Sequence, residues 1–68
     1  MQKIKFVYLD YDTGSFIDLS KLPLSREILK LDDYIHYGNS IWKVMQTSRD
    51  YFVKNKELQY NFYLQQLQ

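Results

Sequence analysis

Hydrophobic and polar positions alternate along this chain with a period close to two, not the 3.6 of a helix. From Gln2 to Tyr11, QKIKFVYLDY sets Ile4, Phe6 and Tyr8 on one side and Lys3, Lys5, Val7, Leu9 and Tyr11 on the other. β-Branched and aromatic residues at that spacing predict a strand. Asp12-Thr13-Gly14 predicts a turn, because aspartate accepts backbone hydrogen bonds and glycine tolerates a left-handed backbone. Ser15 to Leu19 then returns as a second strand, making the N-terminal part of the chain a hairpin.

Lys21 to Lys30 is the stretch with mixed signals. Pro23 cannot donate a strand hydrogen bond and biases Leu22 away from helix. Leu24, Ile28, Leu31 and Ile35 lie at helical spacing, but the run is short and Ser25 is its sole N-cap. A loop with at most one helical turn is expected, with strand geometry resuming near Leu29.

Gly38-Asn39 lies between two aromatic and β-branched runs, Asp33 to Tyr37 and Ser40 onward, and predicts a two-residue hairpin turn. Such a turn sets the register: Tyr37 faces Ser40, His36 faces Ile41 and Ile35 faces Trp42. The return strand is expected through Gln46, bending at Thr47 to Asp50 and continuing through Tyr51, Phe52 and Val53. Lys54-Asn55-Lys56-Glu57 is a polar turn. Beyond it, Leu58, Tyr60, Phe62 and Leu64 alternate as in a strand, while Tyr60, Tyr63, Leu64 and Leu67 also fit a helical stripe. The Tyr-Asn-Phe-Tyr core of the segment and the preceding turn favour the strand.

These elements add up to one all-β domain spanning residues 1–68. The expected architecture is a small five-stranded curved antiparallel sheet or an SH3-like, partly open barrel; the alternative is an α+β sheet with a C-terminal helix. Trp42 is expected at the centre of the core, packed with Ile35, Phe6 and Phe62.

Composition sharpens this picture. A chain of 68 residues buries only roughly 60% of its unfolded surface on folding. It has no cysteine, so neither a disulfide nor a thiolate zinc site can brace it. Packing must suffice, and oligomerisation would help. One tryptophan, seven tyrosines and four phenylalanines are many rings for so small an interior. Tyrosine suits surfaces that become buried on binding. Alanine is absent and lysine, tyrosine, isoleucine and phenylalanine abound, a bias that AT-rich coding also produces. The expected source is therefore a low-GC bacterium or one of its phages.

Nine basic and eight acidic residues are mixed along the sequence, giving a net charge of +1. That balance argues against an acidic nucleic-acid mimic and against a strongly basic nucleic-acid binder. The N-terminus lacks the apolar core of a secretory signal, and no apolar run is long enough to span a membrane. A cytoplasmic, soluble protein is expected.

No catalytic constellation is visible. His36 is the single histidine and lacks a nucleophile–base–orienter context. Asp10 to Gly14 has the wrong spacing for a calcium loop, and two isolated glycines do not form a phosphate loop. Asp32-Asp33 reads as a solubilising pair at the start of a strand. No cofactor or metal is expected, and the chain is not expected to be an enzyme.

The reading that remains is a non-catalytic protein-interaction module presenting a Tyr/Trp-rich face, of the kind a phage or mobile-element regulator uses to occlude a target. Tyr37 and Tyr51, flanked by Lys43 and Arg49, are the expected contacts; Tyr8 and Tyr63 are further candidates. Lysine and arginine interleaved with rings also fit a single-stranded nucleic-acid binder. A third reading is a structural subunit whose rings are buried against copies of itself.

Overall fold

A computed structural model describes residues 3–17, 28–37 and 39–68, with only the backbone of Tyr37. Its strands are β1 (Lys3–Asp10), β2 (Tyr34–Tyr37), β3 (Ser40–Phe52) and β4 (Glu57–Gln66). They form one sheet in the order β1-β4-β3-β2. The sheet is open and curled into half a barrel, so the expected all-β, partly open small barrel is what forms. The C-terminal segment is strand β4, which excludes the alternative with a terminal helix.

Strand number and direction differ from expectation. β1 pairs in parallel with β4, while β2–β3 and β3–β4 are antiparallel. The physical reason is a ladder of rings. Parallel register sets Phe6 beside Tyr60 and Tyr8 beside Phe62, and these pairs stack with centroids 5.7 and 5.6 Å apart. Stacked rings add roughly 0.5–1.5 kcal/mol per pair beyond the area they bury.

After β1 the chain turns back, but the described part of the expected second strand makes only one isolated antiparallel bridge, Leu9 to Phe16. The Ile17 amide donates to the Tyr8 carbonyl at 2.9 Å and the Asp10 amide to the Ser15 carbonyl at 2.8 Å. The rest of that strand, with Pro23 and most of the loop, lies outside the described residues. Strand geometry resumes at Tyr34 and not near Leu29, because Leu31 and Asp32 turn the chain first, Asp32 with φ 70°.

The turn after β1 has its own correction. Its side-chain acceptor is Asp10, not Asp12: Asp10 Oδ1 takes the amides of Asp12 at 2.8 Å and Thr13 at 3.1 Å. Gly14 sits at φ 73°, where a side chain would be strained.

The hairpin register is the one the Gly-Asn turn dictates: Ile35–Trp42, His36–Ile41 and Tyr37–Ser40. β3 continues without interruption to Phe52. Its irregularity lies at Met45, where the pairing slips between Val44 and Gln46, and not at Thr47 to Asp50. An extra residue there increases local twist and helps curl the sheet.

The main buried cluster occupies the inner face, while Val7 is buried on the outer face, level with Asn61. Val44 and Leu64 are fully buried and Phe62 is 1% exposed. Ile35 completes the buried cluster, with Phe6, Tyr8, Trp42 and Tyr60 packed on it from the strands. Ile17 and Leu29 pack on the same cluster from outside the sheet. Trp42 is thus a partly buried neighbour of the core, whose centre is Phe62, Val44 and Leu64.

On the outer face Asn61 is buried and fully used. Its Nδ2 donates to Ser48 Oγ at 3.1 Å and Asp50 Oδ2 at 2.8 Å, and its Oδ1 accepts from Gln59 Nε2 at 2.7 Å. A buried amide needs such partners, and the two to Ser48 and Asp50 tie β3 to β4.

Candidate functional site

Strand register arranges the inner face in rows. Ile4, Leu58 and Tyr51 form the first, across β1, β4 and β3. Phe6, Tyr60 and Arg49 form the second, Tyr8, Phe62 and Thr47 the third, and Asp10, Leu64 and Val44 the fourth. Exposure falls steadily along this series. In the first row Ile4 and Tyr51 are exposed and Leu58 half-buried; in the second, Phe6 and Tyr60 are half-buried and Arg49 exposed; in the third and fourth, Phe62, Leu64 and Val44 are buried while Thr47 stays exposed.

The reason is where the cover sits. Ile17 and Leu29 pack on the core cluster, while Ile4 and Tyr51 of the first row are exposed. Between cover and sheet runs a groove of about 360 Å³, lined by Ile28, Leu29, Thr47, Arg49, Tyr60 and Phe62 among others. Phe52 and the 74%-exposed Val53 continue the apolar surface around the strand end. There a short 3-10 turn, Val53–Asn55, leads into Lys56 at φ 50°.

The sequence-derived contact residues do not form one patch. Tyr51 is 54% exposed and shares the inner face with Arg49, two residues away and also exposed. Tyr8 is on the same face but half-buried in the ring ladder, where loss of solvent raises its hydroxyl pKa. Lys43 and Tyr63 belong to the opposite, outer face by register, so Lys43 does not flank Tyr51. Lys43 pairs instead with Asp32 at 3.5 Å and lies 5.8 Å from the Tyr34 ring centroid. The Tyr37 side chain lies outside the described residues.

Residues that reading the sequence missed are Ile4, Phe6, Leu58 and Tyr60, which make Tyr51 part of a continuous surface. Their alternation was visible, but the register that joins them was not.

His36 is exposed on edge strand β2, opposite Ile41. Among the described residues no three His, Asp or Glu side chains come together as a metal site. The aspartates serve local structure: Asp10 closes the turn after β1, and Asp33 Oδ2 accepts the Lys30 amide at 2.8 Å. Among the described residues no helix is long and apolar enough to cross a membrane. Comparison with known proteins finds no family model, no curated protein and no solved structure that matches this chain.

Proposed function

We propose that this chain is a non-catalytic protein-interaction module that docks a partner on the exposed end of its inner face. The observation that carries the reading is the first row, Ile4, Leu58 and Tyr51, left open beside a groove that already has a covered end and a cation, Arg49. A folded domain gains nothing from exposing such a row to water, whereas a partner that covers it recovers roughly 25 cal/mol per Å² of apolar area. Tyr51 supplies a large ring with a hydroxyl that stays solvated until docking. Arg49 can pair with a carboxylate or backbone carbonyl at the rim. In a domain this small the mode of action is occupation of the partner's surface, as in an occluding regulator.

Site-specific photocrosslinking in cells tests this. A photoreactive phenylalanine analogue at position 51 should give discrete protein adducts that disappear with Ile4→Ser. The same analogue at Gln46, exposed on the outer face, should give none of them. Equal adducts from both positions, or none from position 51, would contradict the reading.

A further inference from the structure

Charge is balanced along the sequence but not between the two faces of the sheet. On the outer face, register sets Lys3 beside Glu57, and Lys5 beside Gln59, which pairs in turn with Asp50. The two lysines there are matched by two carboxylates, and Asp50 is engaged by Asn61 as well.

The inner face at the same level is different. In its first three rows the one charged residue is Arg49, which sits beside Tyr60 and lines the groove. Asp10, in the fourth row, is four residues beyond Phe6 on β1, roughly 13 Å along the strand. Its Oδ1 is already taken by the amides of Asp12 and Thr13. The turn after β3 adds Lys54 and Lys56, both exposed, and no acid. Among the described residues no carboxylate forms a salt bridge with Arg49, Lys54 or Lys56.

Apolar surface adjoins these cations. Ile4, Tyr51, Phe52 and Val53 are exposed. Ile28, Leu29 and Tyr60 share with Arg49 the lining of the groove, whose volume of about 360 Å³ has room for a large apolar side chain.

We propose that the partner's docking segment is acidic as well as apolar: a large apolar side chain fills the groove, and flanking Asp or Glu side chains pair with Arg49, Lys54 and Lys56. This rests on the interaction-module reading and names the chemistry of its partner. A guanidinium takes a carboxylate through two parallel hydrogen bonds, and the pair strengthens as an apolar neighbour excludes water from it. Three cations on one side favour several carboxylates along a segment over the lone carboxylate of a chain terminus. Phosphates would satisfy the same cations, but the surroundings favour protein. Lys3 and Lys5 face the other way beside their own acids, so the cations form no continuous track for a nucleic-acid backbone. Aliphatic Ile4, Ile28, Leu29 and Leu58 interrupt the rings on which successive bases would stack.

Selection of random short peptides, displayed and captured on the immobilised full chain, tests this. Arg49→Glu with Lys54→Glu reverses two exposed charges, and far-UV circular dichroism establishes that the variant folds. A salt titration of the parent needs no variant at all. The selected peptides should join Asp or Glu to Leu, Phe or Trp, and their Asn and Gln counterparts should lose binding. They should bind the parent roughly tenfold or more weakly in about 1 M salt, where the screening length is about 3 Å. At low salt they should bind the charge-reversed variant roughly tenfold or more weakly than the parent. They should also suppress the adducts formed from position 51.

Selected peptides that are neutral or basic overturn the proposal, as does binding unchanged by salt or by charge reversal. Peptides no better enriched on the parent than on the variant do the same. A short oligo-dT that displaces the peptides and binds more tightly than they do overturns it in favour of nucleic acid. Adducts from position 51 to a neutral or basic segment of a protein would overturn the acidic chemistry while leaving the interaction-module reading standing.

Discussion

The two ends of the inner face use the same kinds of residue to opposite effect. At the covered end Phe62, Leu64 and Val44 are sealed under Ile17 and Leu29, and partly buried rings stack around them. At the open end Tyr51, Ile4 and Leu58 occupy equivalent positions two to three rows away on the same inner face, where Ile4 and Tyr51 are exposed. A ring's contribution to stability therefore depends on what lies over it, not on its place in a strand. The covered end holds the fold together, and the open end carries the docking surface proposed above.

The sharpest test of that contrast is a pair of truncations. Phe62→Ala should cost about 3–5 kcal/mol, enough to unfold a marginal domain. Tyr51→Ala, on the same face, should stay within about 0.5 kcal/mol of the parent. Urea unfolding measures both, and similar losses at the two sites would erase the distinction. Trp42→Ala belongs between them, at about 2–3 kcal/mol, because the indole is only partly withdrawn from water. A loss as large as that of Phe62→Ala would move the centre of the core to Trp42.

The hairpin from Tyr34 to Lys43 was legible in the sequence because Gly38-Asn39 fixes register locally. Strand β4 was legible because Leu58, Tyr60, Phe62 and Leu64 keep strict alternation. The neighbour of β1 was not. Period-two alternation tells which side of a strand is buried but not which strand lies beside it, and the parallel partner is about fifty residues away in sequence. The row of Ile4, Leu58 and Tyr51 depends on that pairing, so it was hidden with it. Tyr51 and Arg49 could be singled out by residue type. Lys43 was misplaced because the slip at Met45 changes which residues of β3 face inward.

Asn61 is another case that only the register reveals. Among glutamines and tyrosines it is unremarkable in sequence, yet it is the buried polar link between β3 and β4 on the outer face. Asn61→Ala should destabilise by roughly 1–3 kcal/mol through lost hydrogen bonds, without changing association at the open end. Unfolding and sedimentation measured together separate those effects.

The smallest expected effect is at high pH. Burial holds Tyr8 as the neutral phenol, with its pKa raised above the ordinary value of about 10. Its contribution to stability is therefore complete below that value and declines as pH rises through it toward the folded-state pKa. Ultraviolet titration should show a late phenol ionisation that Tyr8→Phe removes.

The claim that one end of the sheet is for stability and the other for recognition can be read residue by residue in a single titration. Amide ¹H–¹⁵N shifts, recorded as the partner captured through position 51 is added, should move at Ile4, Arg49, Tyr51 and Leu58. Those of Val44, Phe62 and Leu64 should stay fixed. Shifts that do not change on addition, or that change evenly over core and open end, would contradict the account.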